Sequence, residues 1–295
     1  IYKRRKMQLL KSIFAFIKGI FKFINEYFKS MIFVLIVLFI IASSGEKSSA
    51  NLIEISLEGA IMDERELLTQ IDLAKDPNIK GVLINIDSPG GEMSASVAIS
   101  DAIKELSTLK PVIAYASGTM ASGSYYAGIG ANKIYANRAS FIGSIGVIMQ
   151  TPNTEELAKK IGISTQVVKA GEFKEAGTFT RSWNSDERAA LQGLVDKSYE
   201  LFTSDVANAR GLDLNSSKQW ANARVFLAQQ ALNLGLIDGI MSINSAKKEL
   251  EILSGVATPI WYEAPMVQKF INNIAKQSAN LIITTLSQRS VLWQW

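Results

Sequence analysis

From residue 52 onward, short apolar runs alternate with segments of helical period, and this alternation limits the fold more than any other feature of the chain. "LIEISLEG" (52–59), "GVLINID" (81–87) and "PVIAYA" (111–116) read as strands, with helices expected at "ERELLTQIDLAK" (64–75) and "SASVAISDAIKEL" (94–106) between them. A short helix over 121–131, strands at 133–137, 145–149 and 165–170, and a helix at 154–162 continue the order. Such alternation requires crossover connections, so the expectation is an α/β fold with a largely parallel sheet. After about residue 184 the chain turns mostly helical. A long helix is expected from Asn184 or Ser185, either of which can cap it, to Gly211; a second helix stops at Gly235, and a third covers 244–253.

Two glycine-rich turns follow two of these strands: "DSPGG" (87–91) after "GVLINI", and "SGTMASGSYYAG" (117–128) after "PVIAYA". In open α/β sheets ligands gather at the carboxyl ends of strands, which puts both turns beside one crevice. Neither turn has the spacing of a phosphate-binding loop. Glycine instead lets backbone N–H groups converge on one point, as an oxyanion hole requires, with Gly90 or Gly91 as one donor. Of the three serines in the second turn, Ser122 suits a nucleophile best, at the start of a helix whose dipole stabilises negative charge, with the N–H of Gly123 beside it. Ser117 reads as the helix cap. The alternative is that the small residues serve only close helix-on-sheet packing.

Composition limits the partner of such a serine. The chain has no cysteine and no histidine, which removes thiol chemistry, most zinc sites and every histidine-based triad. The remaining bases are a carboxylate or a lysine. At an ordinary pKa of about 10.4 only roughly 0.04% of a lysine is neutral at pH 7, whereas a pKa of about 7 to 8 raises that to roughly 10–50%, a change of about 3–5 kcal/mol that desolvation can supply. Lys169 and Lys174, flanking a glycine after an expected strand, are the candidates that position offers.

"IDSPGG", "ASGSYYAG", "NKIYAN", "IGSIGVIM", "VKAGEFKEAG" and "RVFLAQQALNLGLID" occur here in an order and spacing that resemble the signal peptide peptidase A (SppA) family of serine peptidases and its shorter SohB-like members, over about residues 52–250. The resemblance implies a ClpP/crotonase-like superhelix of ββα units. It also implies a Ser-Lys dyad with Ser122 as nucleophile, Lys174 as general base, Ser144 orienting the lysine, and Gly91 and Gly123 as oxyanion donors. No cofactor and no metal are implied. Cleaved signal peptides or membrane-protein fragments are the implied substrates, cut in a ring-like homo-oligomer with inward-facing sites. This sequence departs from the family pattern at Ser124, where glycine is usual, at Arg138, where proline is usual, and in "ANARVF". Two other readings stand beside it: an acyl-CoA enzyme of the crotonase branch, and an inactive membrane scaffold.

The chain carries a formal net charge of +4, but residues 1–30 hold eight bases against Glu26 alone, a net of +7, which leaves −3 for the other 265 residues. A mildly acidic main domain gives no footprint for nucleic acid. In 1–30, Lys11, Lys18 and Lys22 recur at helical spacing among Ile and Phe residues, as in an amphipathic helix lying on anionic lipid on the cytoplasmic side. "MIFVLIVLFIIA" (31–42) then supplies an apolar run. Extended to Tyr27–Ser44 it rises about 27 Å, a marginal span of a roughly 30 Å hydrocarbon core. The expected layout is therefore a basic segment (1–30), a transmembrane signal anchor (31–44), a linker (45–51), a peptidase domain (52–255) exported across the bacterial inner membrane, and an amphipathic tail (256–295). A cleaved signal peptide ending near "IIASSG" is the rival to the anchor.

Overall fold

The computed structural model describes residues 18–19, 22–38 and 50–263. Within the unit Ser49–Tyr262 a seven-stranded sheet organises everything else. β1 (Leu52–Glu58), β2 (Gly81–Ser88), β3 (Val112–Ala121) and β4 (Lys133–Ala136) lie side by side, parallel and in chain order, with β7 (Gly239–Ile240) parallel to β4. β5 (Phe141–Gly143) pairs in parallel with the far end of β3, and β6 (Val225–Leu227) runs antiparallel to β5.

Alternation along the strands divides their side chains between two cores. Ile55, Ile84, Ile86, Ala114 and Ala116 face the larger one, closed by Leu67 and Ile71 of α1 (Arg65–Ala74) and by Ile99, Ile103 and Leu106 of α2 (Met93–Leu109). Leu52, Leu83, Ile113 and Tyr115 face the smaller, covered by Ala246 and Leu250 of α8 (Ile243–Leu253). Cover on both faces is why β2 and β3 read as near-continuous apolar runs. Lys110 ends the α2 crossover by donating from Nζ to the carbonyls of Ala74, Asp76 and Ile79 at 2.7–2.8 Å, which satisfies orphan acceptors beyond the end of α1.

The other α-helices described within this unit are α3 (Gly123–Gly128), α4 (Glu155–Lys160), α5 (Ser185–Arg210), α6 (Ser217–Trp220) and α7 (Ala228–Asn233). For α5 the ends follow from the sequence. Asn184 accepts the Glu187 N–H while the Glu187 carboxylate accepts the Asn184 N–H, a reciprocal capping box, and Gly211 closes the helix in the left-handed conformation. Asn184 and not Ser185 is the cap.

Other expectations are corrected. The run 145–149 is not a strand: β5 ends at Gly143, Ser144 takes a positive φ of 50°, and Ile148 is left exposed. Nor is 165–170 a strand; its residues are exposed and pair with no strand among the described residues. Ser117 does not cap α3. It lies in β3, which continues to Ala121 because Thr119–Ala121 pair with β5, and its hydroxyl donates to the Ile86 carbonyl at 3.3 Å. β6 and β7 are strands in a region read as helical, too short to show a period of their own.

The unit also runs past residue 255. The Asn51 N–H donates to the Ile260 carbonyl and the Tyr262 N–H to the Leu52 carbonyl, and Trp261 packs against the smaller core. Residues 22–38 are helical, and among the described residues no helix is long and apolar enough to cross a membrane. The expected anchor is described only up to residue 38, and of the expected tail 264–295 lie outside the described residues.

Candidate active site

The geometry of Ser122 is set by what happens to β3. Its register with β2 runs from Val82↔Val112 to Ile86↔Ala116 and resumes only at Ser88↔Met120, so the strand bulges and changes neighbour from β4 to β5. The redirected end then turns straight into α3. Ser122 sits at that turn as the N-cap, one residue ahead of the helix, with φ 54° and ψ −126°. A non-glycine residue rarely adopts this conformation, and strain of this kind collects at functional sites. Its backbone N–H is consumed by the Gly143 carbonyl at 2.7 Å, while its side chain makes no capping bond and is part exposed. A hydroxyl without a hydrogen-bond partner among the described residues, on a strained strand-to-helix turn, is how a serine nucleophile is presented.

The two glycine turns meet at this point. Gly90 has φ 92°, and a Cβ on it would stand 2.5 Å from the Gly123 nitrogen and 2.9 Å from the Ser122 Cβ. The Gly90 N–H is bound by Ser88 Oγ at 3.2 Å. Gly91 is fixed from behind, because Ile61 donates to the Gly90 carbonyl and accepts from Glu92, and a Cβ on Gly91 would fall on the Ile61 carbonyl oxygen. The N–H groups of Gly91 and Gly123 therefore lie on adjoining turns, and neither finds an acceptor among the described residues. Two free backbone donors beside a free hydroxyl can hold an oxyanion. Gly123 also opens α3, although a helix this short adds little dipole.

Ser144 follows the Gly143 carbonyl that receives the Ser122 N–H, so it neighbours the serine through the backbone, with its own N–H bound to the Arg224 carbonyl at 2.7 Å. Lys174 makes no hydrogen bond to Ser122 among the described residues. It lies exposed on a 3-10 turn, Glu172–Glu175, within a segment (151–183) whose hydrogen bonds and ion pairs, among the described residues, all close on 153–188. A buried carboxylate organises the turn. Glu187, 2% exposed, is gripped by both Arg181 nitrogens, and Arg181 also binds Glu175, which in turn holds Lys169 at 3.1 Å. The Arg181 guanidinium, then the Asn184 N–H, hold the Glu187 carboxyl at about 2. Lys169 is thus committed to an ion pair, whereas Lys174 has no ion pair or side-chain hydrogen bond among the described residues. Burial pushes the Lys110 ammonium down as well, but Lys110 precedes β3 and Ser122 follows it, so a ten-residue strand, about 30 Å long, separates them.

A cavity of about 430 Å³, lined by Glu58, Gly59, Asn85, Asp87 and Ser117, opens on the smaller-core face of the same strand ends. Ser122 does not line it. Among the described residues no group of His, Cys, Asp or Glu has metal-binding geometry.

Residues 104–257 match the Peptidase family S49, and this stretch is more than half of the chain. A relative assigned as a protease in Methanocaldococcus jannaschii is 37% identical over 64% of this chain and 60% of its own length. One assigned as a protease in Synechocystis sp. is 36% identical over 68% of this chain and 74% of its own length. The chloroplastic serine protease SPPA of Arabidopsis thaliana is 31% identical over 65% of this chain, which spans only 29% of that larger protein. A chain with this match and this serine turn belongs to peptidase family S49, the SppA-like serine peptidases.

Proposed function

We propose that the protein is a membrane-anchored serine endopeptidase that uses Ser122 and Lys174 as a dyad. Ser122 Oγ attacks the peptide carbonyl carbon, and its proton passes to Lys174 Nζ. The N–H groups of Gly91 and Gly123 hold the carbonyl oxygen as it becomes an oxyanion, and the Lys174 proton then goes to the leaving amine as the C–N bond breaks. Water, deprotonated by the same lysine, hydrolyses the acyl-serine. Ser144 orients the lysine amine. Strained exposure of Ser122 beside two unused backbone donors is the observation that carries this reading.

Lys174 reaches the serine from a second copy of the chain. The 151–183 segment exposes Leu157, Ile161, Ile163, Val167, Val168, Phe173 and Phe179, and Lys174 is exposed within the same segment, as expected of a surface that seats on a partner. Seating that segment on a neighbour buries the apolar side chains and takes the lysine out of water beside the serine. Such copies close into a ring of the ClpP/crotonase-like superhelical units, anchored through 31–44 with the peptidase domain outside the bacterial inner membrane. The substrates are cleaved signal peptides or membrane-protein fragments.

Fluorophosphonate labelling with mapping by mass spectrometry tests the nucleophile: labelling of Ser122 is expected, and a Ser122→Ala chain that still labels refutes it. Mixing Ser122→Ala and Lys174→Ala chains tests the sharing. In a symmetric oligomer of equal parts, about a quarter of the sites pair a native serine with a neighbour's native lysine, so about a quarter of wild-type activity should return. No recovery on subunit exchange would place both residues of a site on one chain.

A further inference from the structure

The two oxyanion donors follow separate strands, Gly91 after β2 and Gly123 after β3, and the backbone ladder that would fix their spacing is broken. Pairing of β2 with β3 stops at Ile86↔Ala116 and survives beyond the bulge only at Ser88↔Met120. Where the ladder fails, a side chain takes over. Ser124, fully buried in the first turn of α3, accepts the Ala121 N–H at 2.8 Å and has the Ser88 carbonyl at 2.6 Å and the Ala121 carbonyl at 2.9 Å as acceptors for its single proton. Ser88 is buried as well, and its own hydroxyl accepts the Gly90 N–H at 3.2 Å. A continuous chain of hydrogen bonds therefore runs from the residue before Ser122, through Ser124 and Ser88, to the glycine before Gly91.

We propose that Ser124 is a positioning residue that fixes the Gly91 turn against the Ser122–Gly123 turn and so sets the spacing of the oxyanion donors. This inference rests on the reading of Ser122 as nucleophile. The contact it controls is close: the Gly91 nitrogen stands 3.2 Å from where a Gly123 Cβ would be. Removing the Ser124 hydroxyl takes away the buried group that bridges the Ala121 N–H and the Ser88 carbonyl, and without that bridge the two turns are free to move apart. Ser124 is fully buried and bonds to the two turns, so on this reading its loss acts on the transition state and not on ground-state binding.

The test compares Ser124→Ala with a core control, Ile103→Val, in the full-length chain, by kcat, KM and the rate of fluorophosphonate labelling. Loss of one oxyanion donor costs roughly 100- to 1,000-fold, so a misplaced pair should lower kcat and the labelling rate together by about 10- to 100-fold, with KM held within about threefold. Ile103→Val should leave all three near wild type. If Ser124→Ala does not fold, Ser88→Ala, which removes the acceptor of the Gly90 N–H in the same chain of bonds, carries the same measurement. A kcat within about threefold of wild type, or a rise in KM alone, overturns the inference. Labelling that persists in Ser122→Ala would instead remove the reading beneath it, so the two failures are distinguishable.

Discussion

Replacing Ser122 with glycine should stabilise the protein while abolishing its activity. Ser122 holds φ 54° and ψ −126°, a region that glycine enters without steric cost and a side chain does not. Strain at such a residue is worth about 1–3 kcal/mol, and glycine returns about 0.4–1 kcal/mol of that through the greater freedom of its unfolded chain. The net gain is therefore about 1 kcal/mol, which for a unit of this size moves Tm upward by roughly 2–4 °C. Ser122→Ala is the necessary companion, because it removes the hydroxyl but keeps Cβ and the strain. Thermal melts of the purified full-length chain, followed by circular dichroism, should rank Ser122→Gly above both wild type and Ser122→Ala, with no peptidase activity in either variant. A glycine variant that melts at or below the alanine variant would show that the turn stores no strain, and the argument from backbone geometry to a held-out nucleophile would lose its basis.

A Cβ at Gly91 lands on the Ile61 backbone, which cannot yield as a side-chain tip could, so Gly91→Ala should cost about 1–3 kcal/mol and slow fluorophosphonate labelling at least tenfold; Gly193→Ala, in open space on α5, should instead gain up to about 1 kcal/mol. Labelling at the native rate in Gly91→Ala would exclude this glycine as a donor. The Glu187 carboxyl, held near 2 from the usual 4.5, contributes stability that is complete above about pH 4.5 and is lost as pH falls toward 2. Hydrogen exchange over 169–188, referenced to intrinsic rates, should accordingly lose protection across that window, and Glu187→Gln should flatten the response. Protection constant down to pH 2.5 would mean that the Arg181 pair does not hold the Lys174 turn.

Much of the chain was legible because local chemistry decides it. The apolar runs of β1, β2 and β3, the Leu67/Ile71 and Ile99/Ile103/Leu106 spacings of α1 and α2, and the Asn184 and Gly211 ends of α5 follow from period and capping alone. The absence of histidine likewise excluded the usual triad before any geometry was considered. Tertiary structure decided what depends on a neighbouring strand. Ser117 looked like a cap because it begins a run of small residues, but β5 draws β3 onward for four more residues and moves the turn to Ser122. Residues 145–149 carry strand-like composition and find no partner strand among the described residues, while β6 and β7, with little intrinsic signal, are strands because β5 and β4 offer open edges. At the site, sequence alone brought forward Ser122, Gly123 and a choice between Gly90 and Gly91. Only the fold committed the Gly90 N–H to Ser88 and left that of Gly91 free, and only the fold gave Ser124 its role, since a hydroxyl positions two turns only once two strands have brought them together.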